Sequence, residues 1–289
     1  YTVRKSRISS TRCQGEETAH GAGRKAQGGR MSMMNRPEPI RVLNKEGAAT
    51  SGDSMAARRL DREIERTGLG RTGRELMEMF DLMLAHFGPR KWWPADTALE
   101  MIVGGVLTQN TSWKNVEKAM ANLKHKGLLS VRGLHALSPE GLAEEIRPAG
   151  YFNMKAKRLK NLIGFIMDRY DADLSVLLAE DTGRLREGLL SVKGIGPETA
   201  DSILLYAANR PVFVVDAYTF RILVRHGMLD ESAGYEELQS LFMDHLPDDT
   251  GLFNEFHALI VQTGKEYCRR APRCKACPLE TWGPTSPLR

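Results

Sequence analysis

Leu189-Leu190-Ser191-Val192-Lys193-Gly194-Ile195-Gly196-Pro197-Glu198-Thr199-Ala200-Asp201 is the stretch on which the reading of this chain turns. An apolar helical run stops at a Gly-Ile-Gly turn, and Pro197 opens a new helix at once. Glycine tolerates positive φ and close backbone approach. Proline suits the first turn of a helix, where an N–H has no intrahelical partner in any case. The free N–H groups of the new helix form an anion site able to hold a phosphate without reading a base, and Lys193 stands beside it as a point charge. A plain helix-turn-helix connector would use the same residues, so the flanks must decide.

On both flanks the apolar spacing is helical. Leu76, Met79, Phe80, Met83 and Leu84 follow the 3, 4, 7 rule from about Thr72, and Phe87-Gly88-Pro89 ends that helix. Leu99–Leu107 is a second helix, and Val116, Met120 and Leu123 mark a third. Ala156–Tyr170, Leu185–Leu190, Glu198–Ala208, Ala217–His226, Tyr235–Leu246 and Leu252–Tyr267 continue the series. Only Val212–Val215 looks β-like, and it is short enough to be an extended connector. The expected fold class is all-α.

Composition narrows the class. Of 289 residues, 42% are hydrophobic and 27% charged, as in an ordinary soluble protein. No apolar run is long enough for a membrane span and no secretory signal is visible, so the expectation is a cytoplasmic, nucleoid-associated protein with no membrane partner. Residues 1–60 carry 12 Lys/Arg and 5 Asp/Glu, whereas the remainder is slightly acidic. The basic charge therefore belongs to a Gly/Ser/Arg-rich tail expected to be disordered. A nucleic-acid argument for the body must rest on local clusters.

Downstream of the hairpin comes Arg210-Pro211-Val212-Phe213-Val214-Val215-Asp216-Ala217-Tyr218-Thr219. A hairpin, about 20 residues, then an apolar run ending in Val-Asp before a helix resembles the helix-hairpin-helix (HhH-GPD) DNA glycosylase superfamily that includes endonuclease III. Over roughly residues 72–282 the greatest likeness is to endonuclease III-type 3-methyladenine DNA glycosylases. Trp92-Trp93-Pro94, Val106-Leu107-Thr108-Gln109-Asn110-Thr111, the segment from Arg147 to Leu159 and Lys193-Gly194-Ile195-Gly196 carry it. The resemblance implies two helical domains with a DNA cleft between them, residues 99–215 forming a helical barrel with the hairpin and residues 72–98 plus 216–282 the other domain. It implies a monomer acting on double-stranded DNA that contains a damaged base.

The resemblance makes Asp216 the catalytic carboxylate. Taken alone, an Asp before a helical run is an N-cap, and the two roles are compatible because a helix N-terminus stabilises a carboxylate. Bifunctional members carry a lysine where this chain has Glu198, and a carboxylate cannot form an imine. The expectation is a monofunctional enzyme of base excision repair that removes alkylated purines. Rivals are a glycosylase for oxidised pyrimidines or mismatches, and a non-catalytic hairpin protein.

Trp92 and Trp93 are candidate walls of a pocket for a flipped base, with Leu99 and Tyr151 as weaker candidates; core packing is the other reading. A cationic alkylated base on a Trp face gains about 0.5–2 kcal/mol. By resemblance Gln109 wedges into the duplex with help from Asn110, although Thr108–Thr111 also reads as a surface turn. Lys155 and Lys157, with Lys193, Gly194 and Gly196 of the hairpin, are candidate phosphate contacts. Cys268-x5-Cys274-x2-Cys277 resembles the iron–sulfur loop of endonuclease III relatives and is read as the metal-binding candidate. A [4Fe–4S] cluster takes four thiolates, and here position 283 is Gly while Cys13 lies in the tail. Cys274-Lys275-Ala276-Cys277 also fits half a zinc site.

Overall fold

The computed structural model describes residues 68–90, 92 and 95–283, and every described element is helical. The expected disordered tail, Trp93 and Cys13 lie outside the described residues. In chain order the helices are α1 (Arg71–Phe87), α2 (Ala98–Leu107), α3 (Trp113–His125), α4 (Val131–Ala136), α5 (Pro139–Glu145), α6 (Phe152–Tyr170), α7 (Leu174–Ala179) and α8 (Thr182–Ser191). Then follow α9 (Pro197–Ser202), continued as a π-helical turn over Ile203–Ala207, α10 (Ala217–Arg225), α11 (Tyr235–Met243) and α12 (Thr250–Glu266). Val212–Val215 is an extended connector. No described helix is long and apolar enough to cross a membrane.

Helix starts are set by local chemistry. Thr97, Ser130, Ser138, Asp173, Asp181, Asp216 and Asp249 each turn a side-chain oxygen onto the orphan N–H groups of the helix that follows. The short helices α4, α5 and α7 escape the apolar-period reading because six or seven residues hold less than two full turns. Their caps Ser130, Ser138 and Asp173 are the sequence signal they do leave.

The helices bury two apolar cores. The first is built around α2, which is apolar on all sides and so must be enclosed; Ile102, Val103, Val106 and Leu107 are inaccessible to solvent. Leu159, Leu162, Ile163 and Ile166 of α6, Leu185 and Leu189 of α8, and Ala200, Ile203 and Leu204 close it. The second holds Leu76, Met79 and Met83 of α1, Phe213–Val215, Ile222 and Leu223 of α10, Phe242 of α11 and Phe253, Phe256 and Ile260 of α12. At its centre the Phe213 and Phe242 rings stack at 3.7 Å, with Phe256 edge-on to both. The π turn is the seam between the cores. Ile203 and Leu204 face the first, whereas Leu205 and Tyr206 pack in the second. The extra residue in a π turn re-aims the side chains that follow it, and such turns are frequent at functional sites.

Candidate active site

Asp216 is placed by the connector and the cap together. Val212–Val215 are 6% exposed or less and carry the chain along the seam in extended form. Asp216 then begins α10 as a capping box. Its Oδ1 accepts from Tyr218 N at 2.9 Å, Thr219 N at 2.8 Å and Thr219 Oγ1 at 3.0 Å, while Asp216 N donates back to Thr219 Oγ1. The cap thus uses one oxygen. The other, Oδ2, faces Nε2 of His257 on α12 at 3.8 Å. His257 Nδ1 is in turn 2.5 Å from the hydroxyl of Tyr206 on the π turn. Burial pushes the Asp216 carboxyl up, but the His257 imidazole and the Thr219 donors outweigh it and hold it below the usual carboxylate range.

Three further groups surround this carboxylate. Burial first, then the charge of Asp216, pushes Glu198 up to about 7. Lys265 of α12 lies with Nζ 5.2 Å from the centre of the Trp92 ring, its pKa lowered by burial and partly restored by Asp216. Burial, then the Asp216 charge, raises the Tyr206 hydroxyl well above its ordinary value. A buried ionised carboxylate beside a carboxyl that titrates near neutrality is the arrangement that separates acid and base roles in one site.

The hairpin stands behind Asp216 and is tied to it. Gly194 has φ +101, and a Cβ there would lie 2.4 Å from Arg158 Cγ, so both the turn and the packing of α6 require glycine. Gly196 is extended, with φ −106, and needs no such freedom; positive φ is confined to the first glycine of the pair. Asp201, fully buried on α9, receives two bonds from Arg186 of α8 (2.7 and 3.1 Å) and one each from Tyr235 Oη and Gln239 Nε2 of α11 at 2.8 Å. Tyr235 Oη also accepts from Val215 N at 3.4 Å, one residue before Asp216. Sequence reasoning missed Asp201, Tyr206, His257 and Lys265. His257 did leave a signal, being a polar residue four positions after Phe253 on an otherwise buried helix face.

The other sequence-derived candidates fall in different places. Trp92 meets the Asp216 cluster through Lys265. Leu99 is 7% exposed and packs in the first core with the rest of α2. Tyr151 is 66% exposed and left-handed, with φ +47, at the start of α6. Gln109 is buried, donating from Nε2 to Thr199 Oγ1 at 2.9 Å and accepting from Arg158, whereas its neighbour Asn110 is exposed with φ +55. Lys155 is a correction. It is 1% exposed, and its Nζ donates to the carbonyls of Leu107 and Ala149 at 2.8 Å each, so it closes the end of α2 and cannot meet a phosphate. Burial, then Arg158, lowers its pKa to about 8. Lys157 and Lys193 are exposed.

Cys268, Cys274 and Cys277 line one recess with Ile222, His226 and Leu279. Among the described residues no three Cys, His, Asp or Glu side chains converge so as to hold a metal ion. The Cys268 sulfur accepts from Arg225 at 3.3 Å, and Gly283 stands where a fourth cysteine was sought. These residues do not fit a four-thiolate cluster. Hydrogen bonds help to hold the loop. Arg221 donates to Cys268 O, Arg225 to the carbonyls of Arg269 and Arg270, and Trp282 Nε1 to Glu75 O.

Comparison with known proteins gives a consistent picture. Residues 103–248 match the family model described as HhH-GPD superfamily base excision DNA repair protein. Over 206 residues the chain is 46% identical to a Methanocaldococcus jannaschii protein assigned as a DNA repair glycosylase, covering 71% of this chain and 94% of that one. It is 29% identical over 178 residues to an endonuclease III of Sulfolobus acidocaldarius, covering 61% and 77%. Among solved structures it is similar to the H. pylori 3-methyladenine DNA glycosylase bound to 1,N6-ethenoadenine, at 31% identity and a TM-score of 0.57 over 68% of this chain and 98% of that one. A non-covalent endonuclease III–DNA complex shares the fold, with 21% identity and a TM-score of 0.63 over 73% and 94%.

Proposed function

The chain belongs to the HhH-GPD superfamily of base excision DNA repair proteins and is a DNA glycosylase of that family, and from that premise we propose that it acts as a monomer on double-stranded DNA, hydrolysing the N-glycosidic bond of alkylated purines without cutting the strand. The observation that carries this reading is the division of labour at Asp216. One oxygen is spent on the cap of α10, and the other faces a buried cluster that keeps the carboxylate ionised.

The chemistry follows from that. As the C1′–N bond breaks, its electron pair leaves with the base and positive charge develops on the sugar. A fixed carboxylate in a low-dielectric site stabilises that charge. Water then adds to C1′, and its proton passes to a carboxylate or to solvent. A purine alkylated on a ring nitrogen already carries a positive charge, so it departs as a neutral base and needs no acid. Trp92 supports this substrate class, since its ring already accommodates one cation, Lys265. The likeness to a 3-methyladenine DNA glycosylase at 31% identity supports it as well. Glu198 supports hydrolysis over imine chemistry, because it occupies the position of the lyase lysine.

The test is base release from duplexes bearing N-alkylated purines, oxidised pyrimidines or mismatches. Release is expected from the first group only, with no borohydride-trapped adduct. Asp216→Asn should fold and bind DNA but lose about 10²–10³ in rate, given the few kcal/mol that one such electrostatic contact supplies. Near-normal release by a folded Asn variant would overturn the assignment.

A further inference from the structure

The hairpin turn has two shapes open to it, and one side chain on α6 selects between them. Val192-Lys193-Gly194-Ile195 is a β-turn closed by Ile195 N, which donates to Val192 O at 3.0 Å. Gly194, third in the turn, has φ +101, the sign that makes the turn type II rather than type I. The two types differ by a half-rotation of the central peptide, Lys193–Gly194, and both keep the closing bond. Glycine accepts either sign of φ, so Gly194 permits type II without enforcing it.

Asn161 holds the central peptide. Its Nδ2 donates to Lys193 O at 2.9 Å from the exposed side of α6. A trans peptide is planar, so its N–H points opposite to its C=O. With Lys193 O drawn onto α6, the Gly194 N–H is aimed away from that helix. A half-rotation would break the bond to Asn161 and turn the N–H back toward α6. Beneath the turn, Arg158 fills the space where a Gly194 Cβ would lie and donates to Gln109, whose Nε2 reaches Gly194 O at 3.5 Å. Those contacts meet Gly194 beyond the central peptide. They fix where the turn sits, and Asn161 fixes which way its N–H faces.

We propose that Asn161 is a positioning residue for DNA binding: by holding Lys193 O it keeps the hairpin in its type II shape, with the Gly194 N–H presented to a backbone phosphate beside the Lys193 ammonium. Asn161, Lys193 and Gly194 are all exposed, so a duplex can reach them. The inference rests on the reading of the hairpin as the phosphate contact of a DNA glycosylase, and it is independent of which base is removed. A backbone N–H on a phosphate carries no sequence information, so the contact serves damaged and undamaged duplexes alike.

The test uses the full chain with Asn161→Ala and Asn161→Leu. Both remove the donor from an exposed helical position, change no charge and put a good helix former in its place. Undamaged duplex is titrated by fluorescence anisotropy at several salt concentrations. Affinity should fall about three- to tenfold at each of them, the equivalent of one net hydrogen bond. The salt slope should keep its wild-type value, because it counts cations on phosphates and none has been removed. Melting temperature and single-turnover base release at saturating DNA should stay at wild-type values. In NMR spectra the strong Overhauser contact between Lys193 Hα and the Gly194 N–H, the mark of a type II turn, should weaken in both variants. Wild-type affinity in both variants overturns the proposal, and so does a wild type that lacks that Overhauser contact. An affinity loss matched by an equal loss of release rate at saturation, or by a fall in melting temperature, also overturns it, because Asn161 would then support the fold at large. If the wild type releases no base from any duplex while the variants bind more weakly at unchanged melting temperature, the role of Asn161 stands and the glycosylase reading fails.

Discussion

At the residue scale, Lys155 and Lys157 show how little sequence proximity says about role. Two positions apart on one helix point about 200° apart, so one of the pair faces the core and the other the solvent. Lys155→Ala should leave two carbonyls unpaired, each at a cost of about 1–3 kcal/mol, and a denaturant titration should show the loss. Its DNA binding should keep the wild-type salt slope. Lys157→Ala and Lys193→Ala should each lower that slope by about 0.9 and leave stability alone; the reverse pattern would restore Lys155 as a phosphate contact. Glu198 belongs to this scale too. Its folded pKa of about 7 lies above the ordinary 4.5, so the folded state holds this proton more tightly than the unfolded chain. The stability it contributes is complete below about pH 4.5 and is lost as pH rises through about 7, to a total of at most about 3 kcal/mol. Glu198→Gln should remove that part of the pH dependence and gain stability relative to wild type at pH 8; an unchanged profile would mean that Glu198 is not buried as described.

At the scale of elements, the contact between α10 and α12 sets the site. Gly264 lets them approach: a Cβ there would lie 2.3 Å from Tyr218 Cδ1 and 2.7 Å from its Cβ. Tyr218 N is one of the donors that cap Asp216. Gly264→Ala should therefore cost about 1–3 kcal/mol through overpacking, and it should slow base release beyond any loss of DNA affinity, because the cap shifts with Tyr218. Thermal unfolding with single-turnover kinetics would separate the two effects. Equal rates for variant and wild type would show that Tyr218 moves without disturbing Asp216. Much of this scale is legible in sequence. The apolar spacing gives the long helices, and the Val-Asp-Ala-Tyr-Thr string gives a cap. The π turn is not legible, since Ile203–Ala207 is apolar on every side and either winding satisfies it.

At the scale of the whole molecule, Asp201 joins the hairpin to the second core. It links α8 through Arg186 with α11 through Tyr235 and Gln239, and Tyr235 passes the restraint to Val215. Asp201→Ala would strand Arg186, which is only 27% exposed on its side chain. Breaking such a pair should cost about 3 kcal/mol, the low end for a buried ion pair, and denaturant unfolding would measure it. A change below about 0.5 kcal/mol would mean that the packing of α8 on α9 suffices by itself.

The sequence by itself determined the helical class, the hairpin and the Asp216 cap. Each of these is written within a few consecutive residues: a glycine that must turn, a proline that must start, a carboxylate that must cap. Tertiary structure alone decided which cations are spent on carbonyls, which glycine of the hairpin takes positive φ, and which groups surround Asp216. Tyr206 and His257 are 51 residues apart, and Asp201 and Gln239 are 38 apart. Nothing in the local pattern of either partner specifies the other. They meet because two apolar cores close around the seam at the π turn, and burial then makes each polar side chain find whatever partner the closure has brought within reach.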